Sequence, residues 1–209
     1  MQSEIKFSLE LEVELVKKYL SKKRWFDKNG YNCVLPEKIE IGDSEEIIKE
    51  KTNREYNKND YKIMAEKIKM YFEKYASLME KNLIIVFDKQ VLQNIEIILT
   101  KYGPGGSYNL PNKIIFSINN SKGAKIIWHE LVHILLEPDI LKYKIEHNVK
   151  ERIVDLILNS KKFDFLNYNF WQDNYGGTEK YIDDLFERYF FNDREKFFEK
   201  IKSHLLHRR

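Results

Sequence analysis

The sequence lacks the features that mark several classes of protein. It has one cysteine, Cys33, so an internal disulfide and with it a disulfide-stapled scaffold are excluded. It has no apolar run long enough to span a membrane, and its first twenty residues alternate charged with apolar side chains, unlike a signal peptide. We therefore expect a soluble, cytoplasmic protein that acts away from membranes.

An excess of one charge sign is also lacking. The 209 residues include 36 basic and 33 acidic side chains, a net charge of +3, and the two signs are largely interspersed. A nucleic-acid-binding surface normally concentrates positive charge on one face, so we expect no nucleic-acid partner. The basic end HLLHRR is short, and such ends are ordinarily solvated. With 43% hydrophobic residues, the chain has the composition of a folded protein.

Glycine and proline are scarce, with eight and four residues, and they divide the chain into predicted elements. Residues 59–79 have apolar side chains at helical spacing and predict an amphipathic helix. NLIIVFD (82–88) predicts a buried strand, and NKIIFSIN (112–119) predicts another. KQVLQNIEIILTKY (89–102) favours a helix, although its β-branched residues leave a strand open. Together these elements predict an α+β fold.

Helices dominate the predictions for the rest of the chain. One contains IIWHELVHILLE and is expected to stop at Pro138, another runs from Asn148 to about Asn159, and two more begin near Thr178 and Asn192. The polar stretch KEKTNREYNKND is interpreted as a linker. The predicted divisions are residues 1–56, an N-terminal subdomain or extension with some strand content, residues 57–160, the core, and residues 161–209, a helical C-terminal subdomain.

Two histidines four residues apart bracket a glutamate in IIWHELVHILLE. On a helix, His129 and His133 lie on one face a turn apart, and Glu130 projects from nearly the same side. In the H-E-x-x-H pattern the histidines bind zinc and the glutamate is the general base for the bound water. The helix is apolar almost all round, so these polar groups need a partner, which a metal would supply. The alternative is a set of buried side chains satisfied by protein groups.

A third ligand is expected downstream, because a catalytic zinc takes three protein ligands and keeps one position open. Glu151 and Asp155 lie four apart on the next predicted helix, with Glu151 eighteen residues after His133. In these residues the chain resembles the gluzincin metallopeptidases, in which HExxH is completed by ExxxD on the following helix. The resemblance implies zinc ligands His129, His133 and Glu151. It also implies Glu130 as general base and Asp155 as the carboxylate holding a ligand histidine.

Other interpretations stay open at these positions. Asn148 and Glu151 also form a capping-box pattern, in which Glu151 would serve only the start of the helix. Asp155 is alternatively a solvated helix residue. Asp139 stands where metzincins place a ligand, although the glycine that turns the chain in that family is missing, and His147 is also chemically able to bind a metal.

The resemblance also implies a zincin-like fold, with a small mixed sheet, an edge strand beside the HExxH helix and a helical C-terminal part. NKIIFSIN directly precedes that helix, where the cleft-lining edge strand is expected. GPGGSYN ahead of it is interpreted as a hairpin connection rather than a flap. For the residue that stabilises the oxyanion, Tyr175 is favoured over Tyr168, Tyr181, His204 and His207.

The implied activity is zinc-dependent hydrolysis of a peptide or protein substrate by a metal-activated water. Two alternative functions are a catalytically silent binding module with the same fold and a zinc hydrolase that acts on substrates other than peptides. The intact Glu130 argues against the binding module, which would not need a base at that position. No motif indicates an oligomeric state.

Overall fold

The computed structural model describes residues 1–28, 30–87, 93–172, 175, 177 and 179–206, with the backbone alone for residues 205 and 206. This part of the chain is a mixed α+β structure with a small mixed sheet of four strands, which confirms the predicted class. No helix in the described ranges combines the length and apolar character needed to cross a membrane.

The strands are short, and the sheet is only partly parallel. Its members are β1 (Gln2–Lys6), β2 (Asn94–Thr100), β3 (Gly106–Asn109) and β4 (Lys113–Ser117). Their order is β1-β2-β4-β3; β1, β2 and β4 run parallel, and β3 is antiparallel to β4. The strand predicted in NKIIFSIN is therefore confirmed as β4, but it lies inside the sheet. The edge strands are β1 and β3, and β3, which follows β2 and pairs with β4, comes from the stretch interpreted as a hairpin connection.

Helices make up most of the remaining described chain. They are α1 (Leu9–Lys28), α2 (Glu45–Glu55), α3 (Lys58–Phe87), α4 (Lys125–Tyr143), α5 (His147–Leu158), α6 (Glu179–Leu185) and α7 (Arg194–Leu206). A 3₁₀ helix at Lys161–Leu166 and a π-helical turn at Phe186–Phe190 complete the set. The predicted starts of α5, α6 and α7 are confirmed to within two residues.

Predictions for the two stretches before the glycine-rich turn are wrong. The strand predicted from residue 82 is instead the end of α3, where Leu83 and Val86 are buried while Ile84 and Ile85 are exposed, a helical period. The helix favoured from residue 89 is wrong for the residues that form β2, the alternative left open. Residues 88–92 lie outside the described part of the chain.

Two predicted helix boundaries also fail. The supposed linker KEKTNREYNKND contains the end of α2 and the start of α3. Helix α2 begins after Ser44, whose hydroxyl accepts a hydrogen bond from the N–H of Ile47. Helix α4 continues past Pro138 to Tyr143. The proline removes one backbone hydrogen bond, and burial of Ile140 and Tyr143 stabilises the turn that follows it.

The chain divides into two compact units, Met1–Ala76 with Leu92–Glu130 and Ser77–Val91 with Leu131–Arg209. The first unit has a core in which α1 covers one face of the sheet, through Val16 and Tyr19 against Ile98 and Ile115. The second is rich in buried phenylalanine, with edge-to-face ring pairs along α7 and the π-helical turn. The three-part division of the sequence stays a prediction.

One charged side chain lies inside the first unit. Glu12 of α1 is fully buried and accepts hydrogen bonds from the Tyr61 hydroxyl, from Thr100 Oγ1 at 2.6 Å and from the Lys101 N–H at 2.7 Å. The pKa of Glu12 is raised above its ordinary value, chiefly because burial disfavours the charged form. These bonds join α1 to α3 and to the end of β2.

Candidate metal centre

The H-E-x-x-H residues lie on a buried stretch of helix α4. His129, Glu130 and His133 have exposed fractions of 5%, 6% and 2%, so all three are removed from bulk water. The rotation of the helix is fixed next to them by Trp128, whose ring stacks on Phe72 of α3 with 4.9 Å between centroids. Burial of polar groups at this density requires partners, as the sequence suggested.

Helix α5 brings Glu151 to the same place. The residue that precedes the first turn of α5 is Glu146, so Glu151 lies more than a turn inside the helix. The capping-box interpretation with Asn148 as N-cap is therefore wrong. The Glu151 side chain is buried instead, and its Oε2 lies 3.1 Å from Nε2 of His133.

Together these side chains form a group that could hold a metal ion. One ligand atom each from His129, His133 and Glu151 lies within 4.8 Å of the others, and all three residues are buried. Around a tetrahedral zinc with bonds of about 2.0–2.2 Å, neighbouring ligand atoms lie about 3.3 Å apart. The separation of 3.1 Å between His133 Nε2 and Glu151 Oε2 already fits that requirement.

Neither of the competing ligands considered from the sequence belongs to this group. In the described part of the chain, the only group of His, Cys, Asp and Glu close enough to hold a metal contains neither Asp139 nor His147. Asp139 faces Arg194, with 3.4 Å between Oδ2 and Nε. His147 lies at the margin of the group, its Nδ1 3.6 Å from Glu151 Oε1, and burial lowers its pKa.

Glu130 meets the edge strand of the sheet. A Cβ atom added to Gly106, the first residue of β3, would lie 2.6 Å from Glu130 Oε1 and 3.1 Å from a methyl of Ile126. Gly106 therefore leaves room for the carboxylate, and any side chain there would displace it. The sequence signal for this position is the run GPGG, which is interpreted as part of a hairpin connection rather than a flap.

Asp155 fastens a segment of the C-terminal part to α5. We call residues 168–172 with Tyr175 the strap. The Tyr175 hydroxyl lies 2.6 Å from Asp155 Oδ2, the Gln172 N–H donates to the same oxygen at 3.2 Å, and the Tyr168 hydroxyl lies 3.4 Å from Oδ1. Asp155 is buried, so the interpretation as a solvated residue is wrong. Its predicted contact with a metal-bound histidine stays a prediction.

The strap delivers one residue that sequence reasoning missed. Nε2 of Gln172 donates to Glu151 Oε2 at 2.6 Å, the same oxygen that faces His133. The segment is held further by Arg152, which lies over the ring of Tyr175 and forms a two-pronged ion pair with Asp183. No periodicity marks Gln172; the only signal was its position in an aromatic loop.

The aromatic residues considered for oxyanion stabilisation have other contacts in the structure. The Tyr175 hydroxyl accepts from the Gln172 N–H at 2.6 Å besides its bond to Asp155, and burial raises its pKa. The Tyr181 hydroxyl donates to the Lys200 carbonyl, and its ring stacks on His204. The assignment of Tyr175 as oxyanion donor stays a prediction. His207 lies outside the described residues.

Comparisons with known proteins leave the site to be interpreted from its own chemistry. The chain matches no family model, no curated protein and no solved structure. The site contains two buried imidazoles and the carboxylate of Glu151, which could hold a metal ion. A second carboxylate, that of Glu130, lies on the same helix as the two imidazoles and next to the edge strand β3.

Proposed function

We propose that this protein is a zinc-dependent metallopeptidase in which His129, His133 and Glu151 bind the zinc ion. The convergence of these three buried side chains carries the proposal. Two imidazoles and one carboxylate are a typical donor set of catalytic zinc sites, in which a fourth position is left for water or substrate. Calcium and magnesium prefer sets made of oxygen ligands only, so zinc is the better match.

Glu130 is the proposed general base. A bound zinc ion would lower the pKa of its water and polarise the substrate carbonyl. Glu130 follows a proposed ligand directly in sequence, and its carboxylate lies beside the sheet edge, where it would accept a proton and return it to the leaving amine. The adjacent Gly106 keeps this position free for the carboxylate.

The edge strand supports a peptide as substrate. Strand β3 ends the sheet on this side, and within the described residues β4 is the strand with which it pairs, so an extended peptide would add beside it as a further strand. A peptide on that edge would pass Glu130 at Gly106. A mixed sheet whose antiparallel edge strand adjoins the H-E-x-x-H helix also supports the proposed gluzincin-like fold. The alternative of a zinc hydrolase for other substrates gives this edge no role.

The test combines metal content with one substitution. After chelation and repletion, we expect about one zinc per chain, and less than about half an equivalent would overturn the zinc site. Glu130→Gln should keep the zinc and lower cleavage of an unfolded protein substrate by about a thousandfold. Glu137→Gln, on the same helix, is the matched control and should cleave normally.

The outcomes separate the candidate functions. Undiminished cleavage by Glu130→Gln would remove that residue as the base. Zinc bound at full stoichiometry, with no cleavage of unfolded protein or peptide by the wild-type chain, would contradict the peptidase and favour the silent binding module.

A further inference from the structure

The end of β3 away from Gly106 meets a group of lysines. Nζ of Lys18, on α1, donates to Oδ1 of Asn109, the last residue of β3, at 3.3 Å. Lys22 follows one helical turn later, and Lys113 is the residue of β4 paired with Asn109. We call Lys18, Lys22 and Lys113 the lysine cluster. The edge strand thus has the proposed base at one end and positive charge at the other.

Two members of the cluster lack a carboxylate partner. Within the described residues, neither Lys18 nor Lys22 forms an ion pair with an Asp or Glu. Their neighbours on α1 do: Lys17 pairs with a carboxylate of α2 at 2.8 Å, and Lys23 pairs with one a turn further along α1. Lys18, the residue of α1 that contacts β3, is therefore bonded to an amide oxygen and, in the described part of the chain, to no carboxylate.

The lysines of the cluster lie close enough to repel one another. The pKa of Lys18 is lowered first by burial and then by the charges of Lys22 and Lys113. Of the three, Lys113 has a carboxylate nearby, Glu96 at 3.0 Å. An anion that approached Asn109 would relieve this repulsion and would interact in partly buried surroundings, where screening by water is weaker than on the open surface.

Strand geometry fixes which part of a substrate would reach the cluster. Asn109 is three residues from Gly106, or about 10 Å along an extended strand. The offset of three positions is odd, so the Cα–Cβ directions at the two residues point to opposite sides of the sheet, that of Gly106 towards Glu130 and that of Asn109 towards Lys18. A peptide antiparallel to β3, with its scissile bond near Gly106, therefore places a residue about three positions N-terminal of that bond beside Lys18.

We infer that the lysine cluster is a specificity subsite and that the substrates are peptides with Asp or Glu about three residues N-terminal of the cleaved bond. This inference rests on the proposed peptidase function and adds the substrate class to it. Charge complementarity selects the acidic side chain, because a neutral residue would leave the ammonium groups of Lys18 and Lys22 uncompensated and a basic one would add repulsion.

Binding is tested apart from turnover with the zinc-loaded Glu130→Gln protein. Fluorescent peptides carry Glu, Gln or Lys at one position, about three residues N-terminal of the expected cleavage site, and the Kd of each peptide is measured. We expect the Glu peptide to bind about five- to tenfold more tightly than the Gln peptide, the size of one partly exposed ion pair. Adding Lys18→Gln and Lys22→Gln should abolish this preference. Adding Lys17→Gln and Lys23→Gln, with the same change in net charge, should retain it.

Three results would overturn the subsite: equal Kd values for the Glu and Gln peptides, an unchanged preference in the Lys18→Gln/Lys22→Gln protein, or equal loss of preference in both double variants. The proposed function fails separately, if wild-type protein cleaves no peptide or unfolded protein. Cleavage without an acidic preference would contradict the subsite alone. Acid-selective binding without any cleavage would contradict the peptidase alone.

Discussion

Glu12 and Glu151 are both buried carboxylates on helices, yet they face different kinds of partner. Glu12 is surrounded by groups that can donate hydrogen bonds, two hydroxyls and the Lys101 N–H. Glu151 faces Nε2 of His133 at 3.1 Å and Nδ1 of His147 at 3.6 Å, and it accepts a hydrogen bond from the side-chain amide of Gln172. Both carboxylates are buried, but hydrogen-bond donors surround Glu12, whereas imidazole rings lie next to Glu151.

The difference teaches what separates a structural carboxylate from a ligand. Three donors from the protein itself occupy the lone pairs of Glu12, so this carboxylate needs no ion. A neutral imidazole presents one nitrogen with a lone pair, and the imidazoles of His129 and His133 converge with Glu151 on a point that a metal ion would complete. Exchange of either glutamate for glutamine, which has the same shape, tests the contrast.

The largest effect is expected for Glu151→Gln. Loss of a metal-binding carboxylate should weaken zinc affinity by more than the roughly 10–100-fold that follows loss of an outer hydrogen bond. Zinc affinity is measured by competition with a chelator. Glu12→Gln is the control and should bind zinc as the wild type does. If both variants bind zinc equally, the assignment of Glu151 as a ligand is wrong.

Next in size is Gly106→Ala. The new Cβ would lie 2.6 Å from Glu130 Oε1, so the carboxylate must move. Displacement of a reacting group by about 1 Å costs on the order of a hundredfold in rate, and zinc content should be unchanged. Ser107→Ala, one residue along β3, is the control for a general effect on the strand. Wild-type turnover in Gly106→Ala would show that Glu130 does not depend on this room.

A smaller loss is expected for Gln172→Leu. The leucine keeps the bulk of the side chain and removes the hydrogen bond to Glu151 Oε2. Zinc affinity should fall about 10–100-fold, as for other residues that orient a metal ligand. Trp171→Leu alters the neighbouring strap residue, which contacts Arg152 rather than Glu151, and should leave the affinity near that of the wild type. The role fails if the two variants bind zinc alike.

Glu12→Gln should affect folding instead of the metal. An amide cannot accept from all the donors that surround Glu12, and one poorly satisfied buried group costs about 1–3 kcal/mol. The free energy of unfolding is measured by denaturant titration of the metal-free protein. Glu151→Gln in the same assay should change it less. The reverse order of the two losses would contradict the contrast drawn between these residues.

The smallest effect concerns pH. The folded-state pKa of Glu12 is raised above 4.5, so its contribution to stability is fully present below that pH and is lost as pH rises through the folded-state value. The difference in unfolding free energy between the wild type and Glu12→Gln should therefore shrink as pH increases above 4.5. A difference that grows over that interval would show that the donors outweigh burial.

The part of the site that could be predicted is the part that depends on local geometry. His129, Glu130 and His133 share one helix, where spacing alone fixes their common side. Glu151 is a candidate through the resemblance of Glu151 and Asp155 to the gluzincin ExxxD pattern, and its alternative as a capping residue fails because α5 starts one residue before Asn148. Gln172 could not be predicted, since it reaches Glu151 through a segment without periodic structure.

The fold shows the same division. The α+β class followed from the mixture of element types, but the edge position depends on which strands pair, and pairing is not local: β4 joins β2 on one side and β3 on the other. The apolar run ending at residue 87 fits a buried strand or a helix by composition. Only its packing, with Ile84 and Ile85 left exposed, distinguishes them.

Helix α5 has two buried carboxylates one turn apart. Glu151 belongs to the metal group, and Asp155 binds the strap. Gln172 connects the two carboxylates, because its backbone N–H donates a hydrogen bond to Asp155 and its side-chain amide donates one to Glu151. Any ion that prefers Glu151 in this orientation also favours the attached strap, and by thermodynamic reciprocity the attached strap favours the ion to the same degree. Occupancy of the centre and attachment of the strap are in this way expected to be thermodynamically coupled.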